Sequence, residues 1–336
     1  MTDESVRAGR VDLRTDRPTP ARMYDYFLGG KDNFAVDRVA GDEVIETLGE
    51  TLTYAVVWEN RHFLRRVVRY LATECGIDQF IDIGAGLPTA ENTHQIAQAC
   101  NPAAKVVYVD NDPIVLIHGR ALLANNPRTT VITADMRDPR GILDHPNLLR
   151  MIDLSRPVAV LLVAVLHFVP DADGPERIVS AFRDSLAPGS CVAISHLTSE
   201  GPPADEVLKV EDVYADATSP IVFRSGRQIA GFFDGLDMLT PGLVRPWAWH
   251  QDERVSERTN WLYAGVGRLP DQSDGTETAT QRLLWLVCDD EGRERHAQQQ
   301  GSPGELRAWV EREIGGAFTV SELAAVDYQR LYGLLR

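Results

Sequence analysis

The chain has 336 residues, of which 44% are hydrophobic and 25% are charged, a composition typical of a globular protein with a core of normal size. Its formal net charge of −15 argues against binding to nucleic acid, because proteins that grip the phosphate backbone need clustered lysine and arginine. The longest apolar run, at 158–166, is too short to cross a bilayer, and the four cysteines lack the spacing of a metal site, so we expect a cytoplasmic protein with neither membrane nor metal.

The chain is predicted to open with helices rather than strands. Residues 1–20 are polar and contain prolines, so we expect a flexible tail there. Residues 36–48 and 54–75 have helical periodicity, and together they indicate a helical segment over 21–78. The arginines between residues 61 and 69 recur at helical spacing, and we interpret them as the solvated face of an amphipathic helix.

From residue 79, short apolar runs alternate with helical periodicity. Strands are predicted at 80–84, 105–110, 129–134, 158–165 and 190–196, with helices at 90–100, 113–123 and 176–186. Two more helices, at 205–214 and 228–233, precede late strands near 236–239 and 261–266. This alternation predicts a parallel α/β sheet over 79–268. A polar linker at 269–280 leads to a C-terminal appendage, 281–336, with helices expected at 281–288, 304–314 and 321–335.

A glycine loop, Asp82-Ile83-Gly84-Ala85-Gly86, ends the first predicted strand. Glycines there allow a tight turn and the close approach of a ligand. Asp110 and Asp135 end the next two strands, where carboxylates can accept hydrogen bonds from ribose hydroxyls and from an adenine amino group. Because the carboxyl ends of parallel strands meet at one edge of a sheet, these acids predict a nucleoside site.

The residues after the loop bear on the identity of that nucleoside. A dinucleotide fingerprint has a third glycine, but Leu87-Pro88-Thr89 follows Gly86 and no basic residue is near in sequence to meet a phosphate. This favours S-adenosylmethionine over a nicotinamide cofactor, and an NAD(P)-dependent oxidoreductase is the alternative. The tetrapeptide shared by nucleic-acid amino-methyltransferases is absent from the sequence, which points to a small molecule or a protein side chain as the acceptor.

Residues 22–34, RMYDYFLGGKDNF, resemble the opening signature of a family of bacterial, actinobacterial-type S-adenosylmethionine-dependent methyltransferases, formerly catalogued as a domain of unknown function. The resemblance covers roughly 18–268, including residues 80–89, 107–113, 134–139, 157–169, 188–198 and 261–267. It implies the class I methyltransferase fold, which is α/β and Rossmann-like, with a mostly parallel seven-stranded sheet whose last strand is antiparallel. It also implies that the N-terminal helical segment forms a lid over the cofactor.

On this basis the lid and the strand ends supply the candidate cofactor site. Arg22 is expected to pair with the methionine carboxylate, and Tyr24 to flank the sulfonium by a cation–π contact. The other candidates are Asp82, Gly84, Gly86, Asp110, Asn111, Asp135, Met136 and Ala164. The alternative for residues 22–34 is a helix docked on the sheet, capped by its glycine pair.

The candidates on the acceptor side are Tyr26, Lys31, Asp32 and His196. His167, at the end of the fourth predicted strand, is the candidate general base because imidazole titrates near neutral pH; a structural role is the alternative. The sequence thus predicts an S-adenosylmethionine-dependent methyltransferase acting on a small-molecule substrate by in-line displacement. A non-catalytic module that binds S-adenosylmethionine is a further alternative.

Overall fold

The computed structural model describes residues 15–88, 91–123, 126–250 and 258–270, together with three strands near the C terminus. Three helices come first: α1 (Pro20–Phe27), α2 (Ala35–Leu48) and α3 (Glu50–Thr73). The strands of the main sheet are β1 (Gln79–Ile83), β2 (Lys105–Asp110), β3 (Thr129–Thr133), β4 (Ala159–Val163), β5 (Cys191–Leu197), β6 (Asp237–Met238) and β7 (Leu262–Arg268). The remaining helices are α4 (Thr93–Cys100), α5 (Pro113–Leu123), α6 (Pro139–Leu143), α7 (Pro146–Met151), α8 (Pro175–Arg183), α9 (Ala204–Ala215) and α10 (Gly226–Gly231).

The seven strands form one sheet in the order β3-β2-β1-β4-β5-β7-β6. Strands β1 to β5 pair in parallel, and β7 runs antiparallel to both of its neighbours. The predicted fold, a mostly parallel seven-stranded sheet with an antiparallel last strand, is confirmed. Strand order reverses between β1 and β4, which is where open α/β sheets bind ligands at the carboxyl ends of their strands.

Both faces of the sheet are buried, because alternate residues of each strand point to opposite sides. On one face Ile81 packs in the same core cluster as Phe182 of α8. On the other face Phe80 packs in a second cluster with Phe63 of α3. The N-terminal helices therefore cover one side of the sheet as well as its ligand-binding edge. No helix of the described part of the chain is both long enough and apolar enough to span a membrane.

The polar tail ends earlier than predicted. Residues 1–14 lie outside the described residues, but Pro18 and Thr19 are buried. The Oγ1 of Thr19 accepts a hydrogen bond from the Arg22 amide (3.4 Å) and so caps α1, while Pro20 occupies its first turn. The backbone of Pro18 also accepts a hydrogen bond from Thr218 (3.0 Å). Capping and burial therefore fix residues 18–20, which the prediction assigned to the flexible tail.

The prediction of a helical C-terminal appendage is wrong where the structure describes this part of the chain. Strands β8 (Leu283–Cys288), β9 (Glu294–Gln299) and β10 (Thr319–Leu323) form an antiparallel sheet in the order β10-β8-β9. The apolar run at 283–288 is short, and the period of so short a run cannot separate a strand from a helix. Pairing with distant residues decides the outcome. Residues 304–314, the second helix predicted for the appendage, lie outside the described residues, as does most of the linker at 269–280.

The loop after α1 is built around the carboxylate of Asp25. Its Oδ2 accepts hydrogen bonds from the Asp32 amide (3.0 Å) and from Asn33 Nδ2 (2.8 Å), and the residue is buried. Gly29 has φ of +75°, in the left-handed region that favours glycine, and its amide bonds to the carbonyl of Tyr26 (2.9 Å). The glycine pair therefore ends α1, as the docked-helix alternative expects.

Replacing Gly30 by alanine is expected to lower the free energy of unfolding by about 1–3 kcal/mol, the usual effect of overpacking. A Cβ at Gly30 would overlap the Asp25 carboxylate, which cannot turn away without losing its hydrogen bonds. Urea denaturation measures the change. Gly231→Ala is the matched control, because a Cβ there meets nothing within 4 Å. Equal stability of Gly30→Ala and the unaltered chain would contradict this account.

Candidate functional site

A cleft of about 1290 Å³, partly open to solvent, lies at the carboxyl ends of β1 to β4. Nine of the predicted site residues line it: Tyr24, Asp82, Gly84, Gly86, Asp110, Asn111, Asp135, Met136 and Ala164. We call it the strand-end cleft. Helix α1 and helix α3 supply the facing wall, through Ala21 and Tyr24 and through Asn60 and Arg61. The sheet edge and the N-terminal helices therefore build this site together.

The glycine loop follows β1 and turns its backbone toward the cleft. Gly84 and Gly86 have φ of +68° and +64°, values that L-residues with a side chain rarely adopt. A Cβ at Gly84 would also overlap Val165, whereas one at Gly86 would meet nothing within 4 Å. The amide of Gly86 donates to the carboxylate of Asp110 (2.9 Å), which ties the loop to the end of β2. The loop thus leaves open space over Gly86 where a ligand can approach the backbone.

Two buried carboxylates occupy adjacent strand ends in the cleft. Asp82 accepts a hydrogen bond from Thr93 Oγ1 (2.7 Å), and Asp110 accepts from the amides of Gly86 and Asp112 (2.9 and 2.8 Å). Burial raises the pKa of each carboxyl to about 6. For Asp82 the positive charge of Arg61 opposes this rise. Both groups are therefore mostly ionised at neutral pH, and a ligand that donates hydrogen bonds would stabilise that form.

Asp135 lies at the outer end of the cleft and is held by Arg137. The guanidinium binds both carboxylate oxygens, Nε to Oδ1 (3.0 Å) and Nη2 to Oδ2 (2.6 Å). These hydrogen bonds lower the pKa of the Asp135 carboxyl. The side chain of Met136 packs against the core beside it. A bidentate pair of this kind orients the carboxylate at the cleft edge.

A hydrogen-bonded chain connects β4 and β5 with α1. The amide of Ala164 donates to Ser195 Oγ (2.9 Å), and that hydroxyl donates to Asn60 Oδ1. Asn60 Nδ2 donates to Tyr24 Oη (3.0 Å), which in turn donates to the carbonyl of Val57 (3.1 Å). Ala164 has φ of +54°, a left-handed conformation that costs about 1 kcal/mol or more outside glycine. This series of hydrogen bonds fixes both the turn at Ala164 and the ring of Tyr24.

The predicted contact of Arg22 with the cofactor is not supported by the structure. Arg22 is fully buried, its Nε lies 3.1 Å from Asp37 Oδ2, and its Nη2 donates to the carbonyl of Arg17 (2.9 Å). It does not line the cleft, whereas Arg61 of α3 does. The sequence analysis places Arg61 on the solvated face of an amphipathic helix. Helical spacing alone cannot show that one residue of that face lines a cleft.

Three acceptor-side candidates lie away from the cleft. Tyr26 Oη donates to Asp42 (2.6 Å) on an exposed surface, and Asp32 pairs with His118 of α5 (3.2 Å). Lys31 is exposed. None of the three is among the described residues that line the strand-end cleft. These residues lie in or next to the loop built around Asp25. The distinctive sequence of residues 22–34 is therefore accounted for largely by local structure.

His196 is a structural residue rather than an acceptor contact. It is completely buried, Nδ1 bonds to the carbonyl of Leu197 (2.6 Å), and Nε2 bonds to Arg224 Nη1 (2.8 Å). Because the guanidinium can only donate, Nε2 is the acceptor and the ring is neutral. Burial lowers the pKa of His196 to about 3. Both ring nitrogens are used, which corrects the predicted substrate contact.

A second cavity of about 600 Å³, also partly open to solvent, adjoins the first. Tyr24, Asn60, Ala164 and Phe168 line both. We call it the apolar cavity, because most of its other walls are hydrophobic: Phe27, Val44, Leu48, Val56, Val57, Leu197, Val210, Tyr214, Ile221, Phe223, Trp261 and Leu262. These residues come from six separate elements and intervening loops. The sequence offered no signal for it, because each lining residue resembles an ordinary core position.

His167 lines the apolar cavity and not the strand-end cleft. It is buried, and its Nδ1 lies 3.5 Å from the amide of Leu197. Burial, with the nearby His196 and Arg224, lowers the pKa of His167 well below its usual value. The ring is therefore neutral, and a general-base role is disfavoured.

No group of three His, Cys, Asp or Glu side chains in the described ranges could hold a metal ion.

Comparisons with known proteins agree with this architecture. A family model described as S-adenosyl methyltransferase matches residues 7–270. The crystal structure of a Thermobifida fusca protein, named as a candidate methyltransferase, is 43% identical, with a TM-score of 0.72 over 77% of this chain and 97% of that one. A DUF574 family protein from Streptomyces avermitilis is 41% identical, with a TM-score of 0.73 over 77% of this chain and 100% of that one. No curated protein matches the chain.

The family match covers the whole main sheet and the helices before it, including every residue of both cavities. It removes the nicotinamide alternative that the glycine loop alone left open. The chain therefore belongs to the S-adenosyl methyltransferase family, and it is an S-adenosylmethionine-dependent methyltransferase.

Proposed function

We propose that this methyltransferase acts on a small molecule that binds in the apolar cavity, while S-adenosylmethionine binds in the strand-end cleft. One observation carries the proposal: the two cavities meet at Tyr24, Asn60, Ala164 and Phe168. A methyl donor and an acceptor must be in contact for an in-line displacement, and two adjoining cavities of different chemistry provide that contact.

The residues of the strand-end cleft fit this cofactor. Asp110 would accept hydrogen bonds from the ribose hydroxyls, and the open space over Gly86 admits the ligand close to the loop backbone. Asp135 and Met136 would meet the adenine. Arg61, in place of Arg22, would pair with the methionine carboxylate. When bound, the cofactor supplies an electrophilic methyl group on a positively charged sulfur.

The chain's own contribution to the reaction is alignment. Tyr24 would present its ring face to the sulfonium, because its hydroxyl is already committed to Asn60 and the Val57 carbonyl. Burial raises the pKa of Tyr24, so the phenol stays neutral. Ala164 marks the boundary between the cavities, held by Ser195. The aromatic and aliphatic walls beyond this boundary would exclude water from the acceptor.

Affinity for S-adenosylhomocysteine is expected to fall by about tenfold for each pH unit below about pH 6. Below that pH the Asp110 carboxyl is protonated in the free protein, and it must lose this proton before the ligand can bind. Burial raises the pKa of Asp110 to about 6, and the ribose hydroxyls donate to its ionised form. Lowering the pH protonates the free protein and weakens binding; raising it further above neutrality changes little. Isothermal titration measures this, and Asp110→Asn should bind more weakly with a smaller slope. Affinity independent of pH would contradict the ribose assignment.

Arg61→Gln is expected to weaken binding of S-adenosylhomocysteine by about 10- to 100-fold, the effect of losing a hydrogen bond between charged groups. Binding of 5′-methylthioadenosine, which has the nucleoside but no carboxylate, should be unchanged. Arg22→Gln is the comparison, since breaking its buried ion pair with Asp37 should cost about 3–5 kcal/mol of stability instead. Equal weakening of both ligands by Arg61→Gln would show that Arg61 does not meet the carboxylate.

Methyl transfer from labelled S-adenosylmethionine into a bacterial extract is expected to label the low-mass fraction. Val56, half-buried in α3, lines the apolar cavity, so the larger side chain of Val56→Phe should take up part of its space and reduce the label at least tenfold. Val39→Phe is the matched control, because Val39 is 60% exposed on α2 and lines neither cavity. Label that appears only in protein or nucleic acid, or that both variants retain equally, would contradict the proposal.

A further inference from the structure

We infer that the acceptor is an uncharged, largely apolar molecule that attacks through the lone pair of an un-ionised nitrogen. The inference rests on the proposed function, because it takes the apolar cavity as the acceptor site. It follows from three features of that cavity: the absence of charge among its described walls, the lack of a base among its hydroxyl and amide side chains, and the orientation of His167.

No Asp, Glu, Lys or Arg is among the described residues that line the apolar cavity. Transferring an ionised group from water into such surroundings is costly unless a partner charge or hydrogen bonds compensate. The acids and Arg61 of the strand-end cleft lie on the other side of the boundary formed by Tyr24 and Ala164. An acceptor that carries a carboxylate, phosphate or ammonium group in its buried part would therefore be rejected.

Three polar side chains of the apolar cavity, those of Thr53, Tyr24 and Asn60, are already engaged within the protein. Thr53 Oγ1 donates to the carbonyl of Gly49 (3.0 Å), and Tyr24 and Asn60 belong to the chain that runs to Ser195. Burial raises the pKa of Tyr24 and also that of Tyr214, so both remain phenols. None of these groups is a base that could take a proton from an acceptor at neutral pH.

His167 is oriented as a donor. Its Nδ1 faces the Leu197 amide, which can only donate, so a neutral ring carries its proton on Nε2. A positive charge stays next to it, because the guanidinium of Arg224 is always protonated and is held in place by Asp171 (2.6 Å) and by the carbonyl of Val169 (2.7 Å). Burial, together with this positive charge behind His196, disfavours an imidazolium. The nitrogen left for a ligand therefore offers a hydrogen rather than accepting one.

A nitrogen acceptor satisfies these conditions because it needs no base before the transfer. Its lone pair forms the new bond to the methyl carbon, the carbon–sulfur bond breaks, and the electron pair of that bond stays on sulfur. The positive charge moves from sulfur to nitrogen. A primary or secondary amine then loses its proton to water after leaving the cavity, whereas a ring nitrogen keeps the charge. A hydroxyl acceptor would have to give up its proton as the bond forms, and the described walls hold no group to receive it.

Three bicyclic probes of similar size separate the possibilities at about pH 8: isoquinoline, a neutral ring nitrogen; 2-naphthol, a hydroxyl; and 2-naphthoate, an anion. Binding to the full chain saturated with S-adenosylhomocysteine is measured by calorimetry, and methyl transfer by the formation of S-adenosylhomocysteine. We expect isoquinoline to bind at least tenfold more tightly than 2-naphthoate and to be methylated at least tenfold faster than 2-naphthol. Val56→Phe should weaken its binding at least tenfold, and Val39→Phe should leave it unchanged.

If naphthoate binds as tightly as isoquinoline, the inference of an uncharged acceptor is overturned. If naphthol is methylated faster than isoquinoline, or if neither is methylated, the inference of a nitrogen acceptor is overturned. The proposed function fails separately. It fails if isoquinoline binding is unaffected by Val56→Phe, since the acceptor site is then elsewhere. Affinity for S-adenosylhomocysteine, measured in separate titrations of the unliganded protein, should be equal in both variants, which shows that each is folded and that only the apolar cavity has changed.

Discussion

The buried ion pair between Arg22 and Asp37 holds in place the helix that both cavities share. Asp37 also accepts hydrogen bonds from the amides of Thr19 (2.9 Å) and Phe34 (2.8 Å), so one carboxylate fixes the start of α1 and the start of α2. Removing one partner of such a pair leaves an unpaired buried charge, at a cost of about 3–5 kcal/mol. With α1 fixed, Tyr24 has one position at the boundary of the two cavities, and the sheet edge acquires its second wall.

Much of the sheet and half of the site could be predicted from the sequence, because both follow from local rules. Strands buried on both faces appear as continuous apolar runs, and the carboxyl ends of parallel strands must meet at one edge. Asp82, Asp110 and Asp135 are therefore brought together by topology alone, whatever the details of packing. The glycine loop is predictable for a similar reason, since Gly84 and Gly86 both need positive φ.

The rest depends on contacts between residues distant in sequence. Arg22 and Arg61 are both arginines on helices near the sheet, and only tertiary packing decides that Asp37 takes the first while the cleft receives the second. The apolar cavity is hidden for the same reason, since Val56 or Phe223 could equally be a core residue. The strand at 283–288 was mistaken for a helix because its partners, β9 and β10, lie further along the chain.

The contrast in charge between the two cavities bears on the release of product in the proposed reaction. Before transfer, the positive charge is on sulfur in a cleft that contains the buried acids Asp82 and Asp110. After transfer to a neutral nitrogen it lies among the aromatic and aliphatic walls of the apolar cavity, where cation–π contacts with Tyr24 and Phe168 compensate only part of the lost hydration. A neutral substrate of this kind would therefore be held better than its charged product. The same walls that select an uncharged acceptor would thus favour release of the methylated molecule, without any further group being needed to expel it.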